Sequence, residues 1–209
     1  MIDRKIFFDN IRQSLFHVLT NNQVEGTGAI LDEWERERSK DDTRWLAYVL
    51  ATAYHETAHT MQPIEEYGHG KGRPYGVPES NGMTYYGRGF CQLTWKANYE
   101  KAGGICGFDL ASHPELALHC DYAAKIICEG MKDGWFTGKK LADYFNDNRD
   151  DPVGARHIIN GSDRADLIAS YYRCFANALT AAKKPDAETP YEHPDDDVPP
   201  KHHWWQLWK

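Results

Sequence analysis

One segment constrains the fold of this chain more than any other: residues 41–59, with the sequence DDTRWLAYVLATAYHETAH. Asp41 or Asp42 can serve as the N-cap of a helix. Apolar residues then recur at helical spacing and share one face, namely Trp45, Leu46, Val49, Leu50 and Ala53. The pattern predicts an amphipathic helix that buries its apolar face and ends in His-Glu-Thr-Ala-His.

Other stretches predict that most of the chain is α-helical. Residues 4–20 carry apolar side chains at helical spacing, and the stretch 23–38 places Ile30, Leu31 and Trp34 inside, with charges outside. Further helices are predicted over 96–103, 120–133, 139–147, 151–159 and 163–182. We therefore expect a mainly α fold with little strand content.

Residues 61–83 interrupt this pattern. They are dense in glycine, proline and polar residues and have no period of their own, which predicts a loop or a short irregular strand pair. A loop of this length inside a domain is usually functional. After it, the closely spaced Gly87 and Gly89 favour a turn that enters a short strand or helix.

Composition excludes several classes of protein. The chain has 209 residues and a formal charge of −7, which argues against nucleic-acid binding through counterion release. No apolar run approaches the roughly 18 residues of a membrane span, and the first residues lack the apolar core of a signal peptide. We expect no transmembrane segment and synthesis in the cytoplasm. The five cysteines, odd in number and without C-x-x-C, predict reduced thiols.

The chain divides into a predicted catalytic domain, residues 1–182, and a tail, residues 183–209. The tail is rich in proline and aspartate, which predicts disorder. It ends in a tryptophan cluster consisting of Trp204, Trp205 and Trp208. Exposed aromatic rings usually pack against something, so the cluster either docks on the chain's own surface or contacts a membrane interface or a partner.

The sequence His-Glu-Thr-Ala-His at 55–59 matches the H-E-x-x-H pattern of zinc peptidases. On a helix, His55 and His59 would lie on one face, with Glu56 beside them as general base. The site still needs a third protein ligand. The extended pattern requires Gly at 62 and His at 65, where this chain has glutamine and glutamate, although a distant residue such as Glu79 could fill the place.

Glu56 also has a second interpretation. At about 100° per residue it falls inside the apolar stripe of the helix. A carboxyl there is partly desolvated, which favours the protonated form that a general acid requires. A second carboxylate should then lie nearby, and Glu65 and Glu66 follow in the loop. A structural pairing of Glu56 with a buried arginine or histidine is the alternative.

Three motifs together resemble those of glycoside hydrolase family 19, which contains plant-type chitinases and many phage and prophage endolysins. Residues 86–95, YGRGFCQLTW, followed by Asn-Tyr at 98–99, resemble the family signature. His-Glu-Thr at 55–57 is similar to the end of the catalytic helix, and Ile-Ile-Asn-Gly at 158–161 to a third motif. The likeness spans residues 20–180. The chain departs from the family pattern at Phe90, Ala97 and Ser162.

The resemblance implies a lysozyme-like α+β fold with a bilobal substrate cleft. It implies that Glu56 is the general acid, that Glu65 is the base, and that Thr94 helps to hold the attacking water. Glu66 remains open as the base. With Glu65 in that role, we expect Glu66 to face solvent or to pair with a basic neighbour such as Lys71 or Arg73. The implied mechanism inverts the configuration at the anomeric carbon. It requires a distance of about 6.5–9.5 Å or more between the two carboxyl groups. Neither a cofactor nor a metal is implied, and we expect a monomer.

The resemblance also implies a set of substrate-binding residues, which are Tyr86, Gln92, Trp95, Asn98 and Asn160. For Gln92 and Asn98 the alternative is a buried hydrogen-bonding role in the turn. Tyr86 and Trp95 serve either packing or sugar stacking. Arg88 is expected to form a structural ion pair, with the catalytic helix as a candidate partner.

Chitin and peptidoglycan both contain β-1,4-linked N-acetylated sugars, so the catalytic residues do not separate them. The compact size and the missing signal peptide resemble an endolysin that reaches the bacterial cell wall by a separate route. We therefore expect peptidoglycan hydrolysis, with a chitinase as the alternative. A zinc peptidase and a non-catalytic sugar-binding protein remain less favoured.

Overall fold

The computed structural model describes residues 1–183, and most of this part of the chain is helical. The α-helices are α1 (Arg4–Ile11), α2 (Asn21–Glu37), α3 (Thr43–Glu56), α4 (Lys96–Cys106), α5 (Cys120–Asp133) and α6 (Ala165–Ala182). The strands are β1 (Ile64–Glu65), β2 (Arg88–Gly89), β3 (Phe145–Asn146) and β4 (Arg149–Asp150). Short 3-10 helices span Pro74–Gly76, Pro114–Leu118, Leu141–Asp143 and Gly154–Ile158. The predicted mainly helical fold with little strand content is confirmed.

Helix α3 forms the centre of the core. The Asp42 side chain caps it by accepting a hydrogen bond from the backbone N–H of Arg44 at 2.9 Å. Every residue from Leu46 to Tyr54 is buried, so the helix is covered on all sides rather than along one stripe. It packs most extensively against α6 and also contacts α2 and α5. The end of α3 is therefore held rigidly by its neighbours.

Two small antiparallel strand pairs complete the described fold. β1 pairs with β2, with Ile64 opposite Gly89 and Glu65 opposite Arg88. β3 pairs with β4, with Phe145 opposite Asp150. The first pair ties the beginning of the predicted loop at 61–83 to the segment that follows it, and the rest of that loop consists of turns and one 3-10 helix.

The predicted first helix over 4–20 is shorter than expected. α1 ends at Ile11 and continues as a π-helical turn over Arg12–Phe16. His17 then adopts a left-handed backbone angle, φ 58°, which a regular helix does not accommodate. Thr20 begins α2 with a capping box that it shares with Gln23.

The predicted helix over 139–147 is wrong, and that over 151–159 is reduced to the 3-10 helix Gly154–Ile158. A hairpin of β3 and β4 replaces the end of the former. Two side chains of α3 bind its backbone: Trp45 Nε1 donates to the carbonyl of Phe145, and Arg44 Nη2 to that of Asn146, both at 3.0 Å. These tertiary contacts outweigh the local helical pattern.

The predicted tail, apart from Lys183, lies outside the described residues, and so does the tryptophan cluster of Trp204, Trp205 and Trp208. Among residues 1–183, no helix combines the length and apolar character needed to cross a membrane. All five cysteines fall within the described part and are free thiols, with Cys91 and Cys128 buried.

Candidate active site

Helix α3 ends at Glu56, inside the H-E-x-x-H sequence. Thr57 is the C-cap, and its buried hydroxyl donates to the carbonyl of Ala53 at 2.7 Å and accepts from the N–H of Met61 at 3.0 Å. Ala58, His59 and Met61 then have positive φ angles of 50°, 70° and 52°. The backbone therefore turns away before a second helical histidine can follow the first, and the predicted pair of imidazoles on one helix face is wrong.

The His59 ring has its own packing role. It stacks on Tyr54 with a centroid distance of 4.2 Å and an interplanar angle of 11°. The hydroxyl of Tyr171 lies 3.2 Å from His59 Nε2. Within residues 1–183, no group of three or more histidine, cysteine, aspartate or glutamate side chains is placed to hold a metal ion. The H-E-x-x-H sequence thus serves as a helix end and an aromatic contact.

Glu56 forms a salt bridge with Arg156, a residue that the sequence analysis missed. Arg156 Nη1 donates to Glu56 Oε1 at 2.5 Å, and Arg156 Nε donates to the carbonyl of Asp163 at 3.0 Å. The side chains of Arg156 and Glu56 are 4% and 19% exposed. The expected partial burial of Glu56 is confirmed, and the pairing with a buried arginine that was left open is the one observed. A guanidinium stabilises the charge of a carboxylate that the protein removes from water.

His55 precedes Glu56 and differs from it in environment. Burial lowers the pKa of the His55 imidazole, and the charge of Glu56 only partly offsets this effect. A neutral histidine is therefore favoured beside the Glu56–Arg156 pair.

Glu65 lies on β1 within a group of hydrogen-bond donors. The Tyr86 hydroxyl donates to Glu65 Oε1 at 2.7 Å, and Arg88 Nε lies 3.6 Å from the same oxygen. His69 Nε2 lies 3.6 Å from Oε2. The Glu65 side chain is 39% exposed, so water can reach it.

Arg88 therefore pairs with Glu65 on β1, which confirms the expected ion pair but not the catalytic helix as its candidate partner. Its guanidinium also lies over the ring of Tyr86, 3.6 Å from the centroid, and donates to the hydroxyl of Tyr99 at 3.0 Å. Because Arg88 is buried, these contacts fix the positions of Glu65 and Tyr86 relative to each other.

Glu66 points in a different direction from Glu65, as expected for adjacent residues of an extended segment. Its carboxylate accepts hydrogen bonds from the Tyr75 hydroxyl at 3.0 Å and from the N–H of Gly87 at 3.1 Å. The expectation that Glu66 faces solvent or pairs with a basic loop residue is wrong. It connects the loop to the segment before β2, which is a structural use of the carboxylate.

Thr94 lies in a tight turn after β2. Arg88 and Leu93 exchange backbone hydrogen bonds of 2.8 and 3.2 Å. On either side of Thr94, the non-glycine residues Gln92 and Trp95 have positive φ angles of 55° and 71°. Such angles cost free energy and are common at functional sites, where neighbouring contacts impose them.

The predicted sugar-binding residues divide into two groups. Gln92 Nε2 donates to the carbonyl of Ile64 at 3.2 Å, and Asn98 Nδ2 to that of Thr94 at 2.9 Å, so both brace the turn. Tyr86 is buried and stacks on His69 at 4.7 Å. In contrast, Trp95 is 49% exposed, and Asn160 is exposed and lines a cavity.

The structure assembles these residues around two centres. Glu65, Tyr86, Thr94 and the turn residues belong to β1, β2 and the segment after β2. Glu56 and Asn160 are joined through Arg156, whose carbonyl accepts the N–H of Asn160 at 3.0 Å. Burial raises the pKa of the Cys91 thiol, and the charge of Glu56 adds to this effect.

Comparisons with known proteins match part of this chain to chitinases. The family model for class I chitinases matches residues 47–129, which include Glu56, Glu65 and Thr94. Endochitinase EP3 of Arabidopsis thaliana is 34% identical over 122 residues, covering 52% of this chain. The chain spans 44% of that protein's length.

Two solved structures share the fold. Chitinase C from Streptomyces griseus aligns with a TM-score of 0.61 at 20% identity, over 88% of this chain and 79% of that chain. A class IV chitinase from Zea mays aligns with a TM-score of 0.53 at 18% identity, over 86% and 92% of the respective chains. The helical fold around α3 is therefore the fold of these chitinases.

Proposed function

We propose that this chain, whose residues 47–129 match the family model for class I chitinases, is a member of glycoside hydrolase family 19 and hydrolyses β-1,4 bonds between N-acetylated sugars by an inverting acid–base mechanism. One observation carries the proposal. A half-buried carboxyl, Glu56, is held by Arg156 at the end of the central helix, while a more exposed carboxyl, Glu65, lies on a separate strand. Two carboxyls in different environments are what acid–base catalysis of glycoside hydrolysis requires.

Glu56 acts as the general acid. Its Oε1 accepts the hydrogen bond from Arg156, which leaves Oε2 as the oxygen from which a proton passes to the leaving glycosidic oxygen. The guanidinium fixes the orientation of the carboxyl and stabilises the carboxylate that remains after the proton has left. The same contact between Arg156 and Glu56 provides both the orientation and the stabilisation.

Glu65 acts as the general base on a water molecule. Its Oε1 is occupied by the Tyr86 hydroxyl, which leaves Oε2 to accept the proton of the attacking water. Thr94, in its strained turn, supports that water with its hydroxyl group. The water attacks the sugar from the face opposite the leaving group, so the anomeric configuration inverts.

The substrate proposed first is peptidoglycan, as in an endolysin that acts on the bacterial cell wall. Support comes from the compact spacing of the carboxyls: Glu65 follows Glu56 by nine residues, which resembles the endolysin branch of the family. Chitin is the second candidate, and the names of the similar proteins, an endochitinase and a chitinase C, favour it.

Parallel digestion of purified peptidoglycan and soluble chitin oligomers, with and without a chelator, tests the proposal. New reducing ends identified by mass spectrometry report the bond that is cleaved. Glu56→Gln should reduce the rate at least about 100-fold. Glu100→Gln is the matched control, because Glu100 is an exposed α4 side chain whose carboxylate lies 3.8 Å from Lys96. Chelator-sensitive release of peptides without new reducing ends would contradict glycoside hydrolysis.

A further inference from the structure

Two stacked rings approach the carboxylate of Glu65. The His69 imidazole lies on the Tyr86 ring with a centroid distance of 4.7 Å and an interplanar angle of 13°. The Tyr86 hydroxyl donates to Glu65 Oε1 at 2.7 Å, and His69 Nε2 lies 3.6 Å from Oε2. Each oxygen of the proposed base therefore has the polar atom of one stacked ring beside it.

The backbone of the loop after β1 places His69 beside Glu65. The His69 N–H donates to the carbonyl of Glu66 at 3.0 Å, which closes a turn directly after the strand. His69 has a positive φ angle of 51°, between Gly68 and Gly70 with φ angles of 79° and 71°. A non-glycine residue with such an angle is uncommon, and it persists where surrounding contacts impose it, often at functional sites. The turn thus returns the imidazole to the carboxylate of the strand.

Close packing of Gly70 holds this turn in place. A Cβ atom added at Gly70 would lie 2.8 Å from Gly76 Cα and 3.1 Å from Tyr86 Cβ. Both distances are shorter than an ordinary carbon–carbon contact, so the backbone of Gly70 lies directly against these two residues. The residue next to His69 is therefore packed on the same tyrosine that carries the imidazole stack.

Burial does not explain the position of His69, because its side chain is 62% exposed. Arg88, the other basic group near Glu65, is buried and donates to the hydroxyl of Tyr99 at 3.0 Å. Its Nε lies 3.6 Å from Glu65 Oε1. Arg88 thus approaches Oε1 from inside the protein, whereas His69 approaches Oε2 from the solvent side, where an attacking water would lie.

We propose that His69 is a positioning residue for the general base. Its Nε2–H donates to Glu65 Oε2 and holds that oxygen towards the attacking water. The inference rests on the proposed function, since it takes Glu65 as the base. A carboxylate oxygen has two lone pairs, so Oε2 still accepts the proton of the water. The distance of 3.6 Å exceeds the usual N–H···O range of about 2.7–3.2 Å, and catalytic hydrogen bonds are often long in the free enzyme and tighten when substrate binds.

Three variants of the full chain separate the nitrogen of His69 from its ring. His69→Phe keeps a ring on Tyr86 and removes the donor, whereas His69→Gln keeps a donor at similar reach and removes the ring. His69→Ala removes both. Initial rates on a soluble oligomer of β-1,4-linked N-acetylated sugars give kcat and KM. A circular dichroism melt of each variant checks that it folds.

We expect kcat to fall about tenfold in His69→Phe and His69→Ala, because a hydrogen bond to a charged group is lost. His69→Gln should stay within about threefold of wild type. KM should change less than about twofold in all three, since His69 acts through Glu65 and not on the sugar. His113→Phe is the matched control and should leave kcat unchanged. The His113 imidazole also lies near a glutamate, with Nδ1 3.3 Å from Glu115 Oε1, and both side chains are 63% exposed.

The outcomes separate the positioning role from the proposed function. Wild-type kcat in His69→Phe, or a His69→Gln variant as slow as His69→Ala, overturns the role of His69 in a chain that still cleaves the oligomer. A raised KM at constant kcat also overturns it, because His69 would then bind the sugar itself. In a Glu65→Gln background, His69→Phe should cause no further loss of kcat, and a further tenfold loss would overturn the role as well. A wild-type chain that releases no new reducing ends overturns the proposed function, and with it the role of His69.

Discussion

Replacing Arg156 with methionine removes the cation that holds Glu56 while preserving most of the buried volume. The substitution leaves the half-buried Glu56 carboxylate without its partner at 2.5 Å. It also leaves the carbonyl of Asp163 without the donor that lies 3.0 Å away. Because the Arg156 side chain is 4% exposed, little water can replace these contacts.

The magnitude follows from the burial of the pair. Removing one partner of a buried ion pair costs about 3–5 kcal/mol of unfolding free energy. Glu56 keeps 19% of its exposure, so we place the loss for Arg156→Met at about 2–4 kcal/mol. In a Glu56→Gln background no charge is left unpaired, and the same substitution should cost only about 1–2 kcal/mol. The coupling energy is then about 1–2 kcal/mol.

Urea unfolding of wild type, the two single variants and the double variant gives this coupling energy directly. Arg149→Met is a suitable control, because Arg149 and Asp151 are also 2.5 Å apart but 47% and 33% exposed. That control should lose less than about 1 kcal/mol. Equal losses for Arg156→Met in both backgrounds would refute the idea that Arg156 acts on the charge of Glu56.

Three further perturbations test neighbouring parts of the site. Glu65→Gln should lower kcat at least about 100-fold and cost less than about 1 kcal/mol of stability, because the amide oxygen can still accept from Tyr86 and the carboxylate is 39% exposed. Glu66→Gln should keep kcat within a few-fold and lose about 1–2 kcal/mol of stability, because its carboxylate accepts two structural hydrogen bonds. The reverse pattern in kcat would make Glu66 the base. His59→Ala should keep most of the activity and lose about 1 kcal/mol of unfolding free energy, because the stacking of His59 on Tyr54 is removed. Activity is assayed with and without a chelator, and a chelator-sensitive loss of turnover would contradict this. Burial opposes ionisation of Asp42, but hydrogen bonds from Arg44 outweigh it and lower the Asp42 pKa below 3.8. Asp42→Asn preserves the N-cap and removes only the charge, so the variant should be less stable than wild type by less than about 1 kcal/mol. This difference should be complete at a pH above the ordinary pKa of aspartate and should disappear as the pH falls through the lowered pKa of Asp42. A difference in thermal melts that does not depend on pH would contradict the ion pair.

Local periodicity was sufficient to predict the central helix and the place of Glu56. The apolar residues of α3 recur so regularly that the helix and the partial burial of Glu56 could be derived from spacing, and the cap could be narrowed to Asp41 or Asp42. The residue at which the helix ends could not be derived in this way. Nothing in His-Glu-Thr-Ala-His indicates that Ala58 and His59 leave the helical region, because their positive φ angles depend on contacts made by Thr57 and Met61.

Pairings between distant residues were the main features that the sequence could not provide. Glu56 and Arg156 are 100 residues apart in the chain, and no periodic pattern connects them. The β3–β4 hairpin is another example, because its helical neighbours Arg44 and Trp45 bind its backbone from about 100 positions away. The local composition of residues 139–147 resembled a helix, and tertiary hydrogen bonds decided otherwise.

The configuration of the first product is the most direct test of the proposed mechanism. Soluble oligomers of β-1,4-linked N-acetylated sugars are cleaved by the wild-type chain, and proton NMR follows the anomeric signals before mutarotation mixes them. We expect the new reducing end to appear first as the α-anomer, since water attacks opposite the leaving group. Initial release of the β-anomer would contradict inversion, because it requires a carboxylate nucleophile about 5–5.5 Å from the acid in place of the base-activated water.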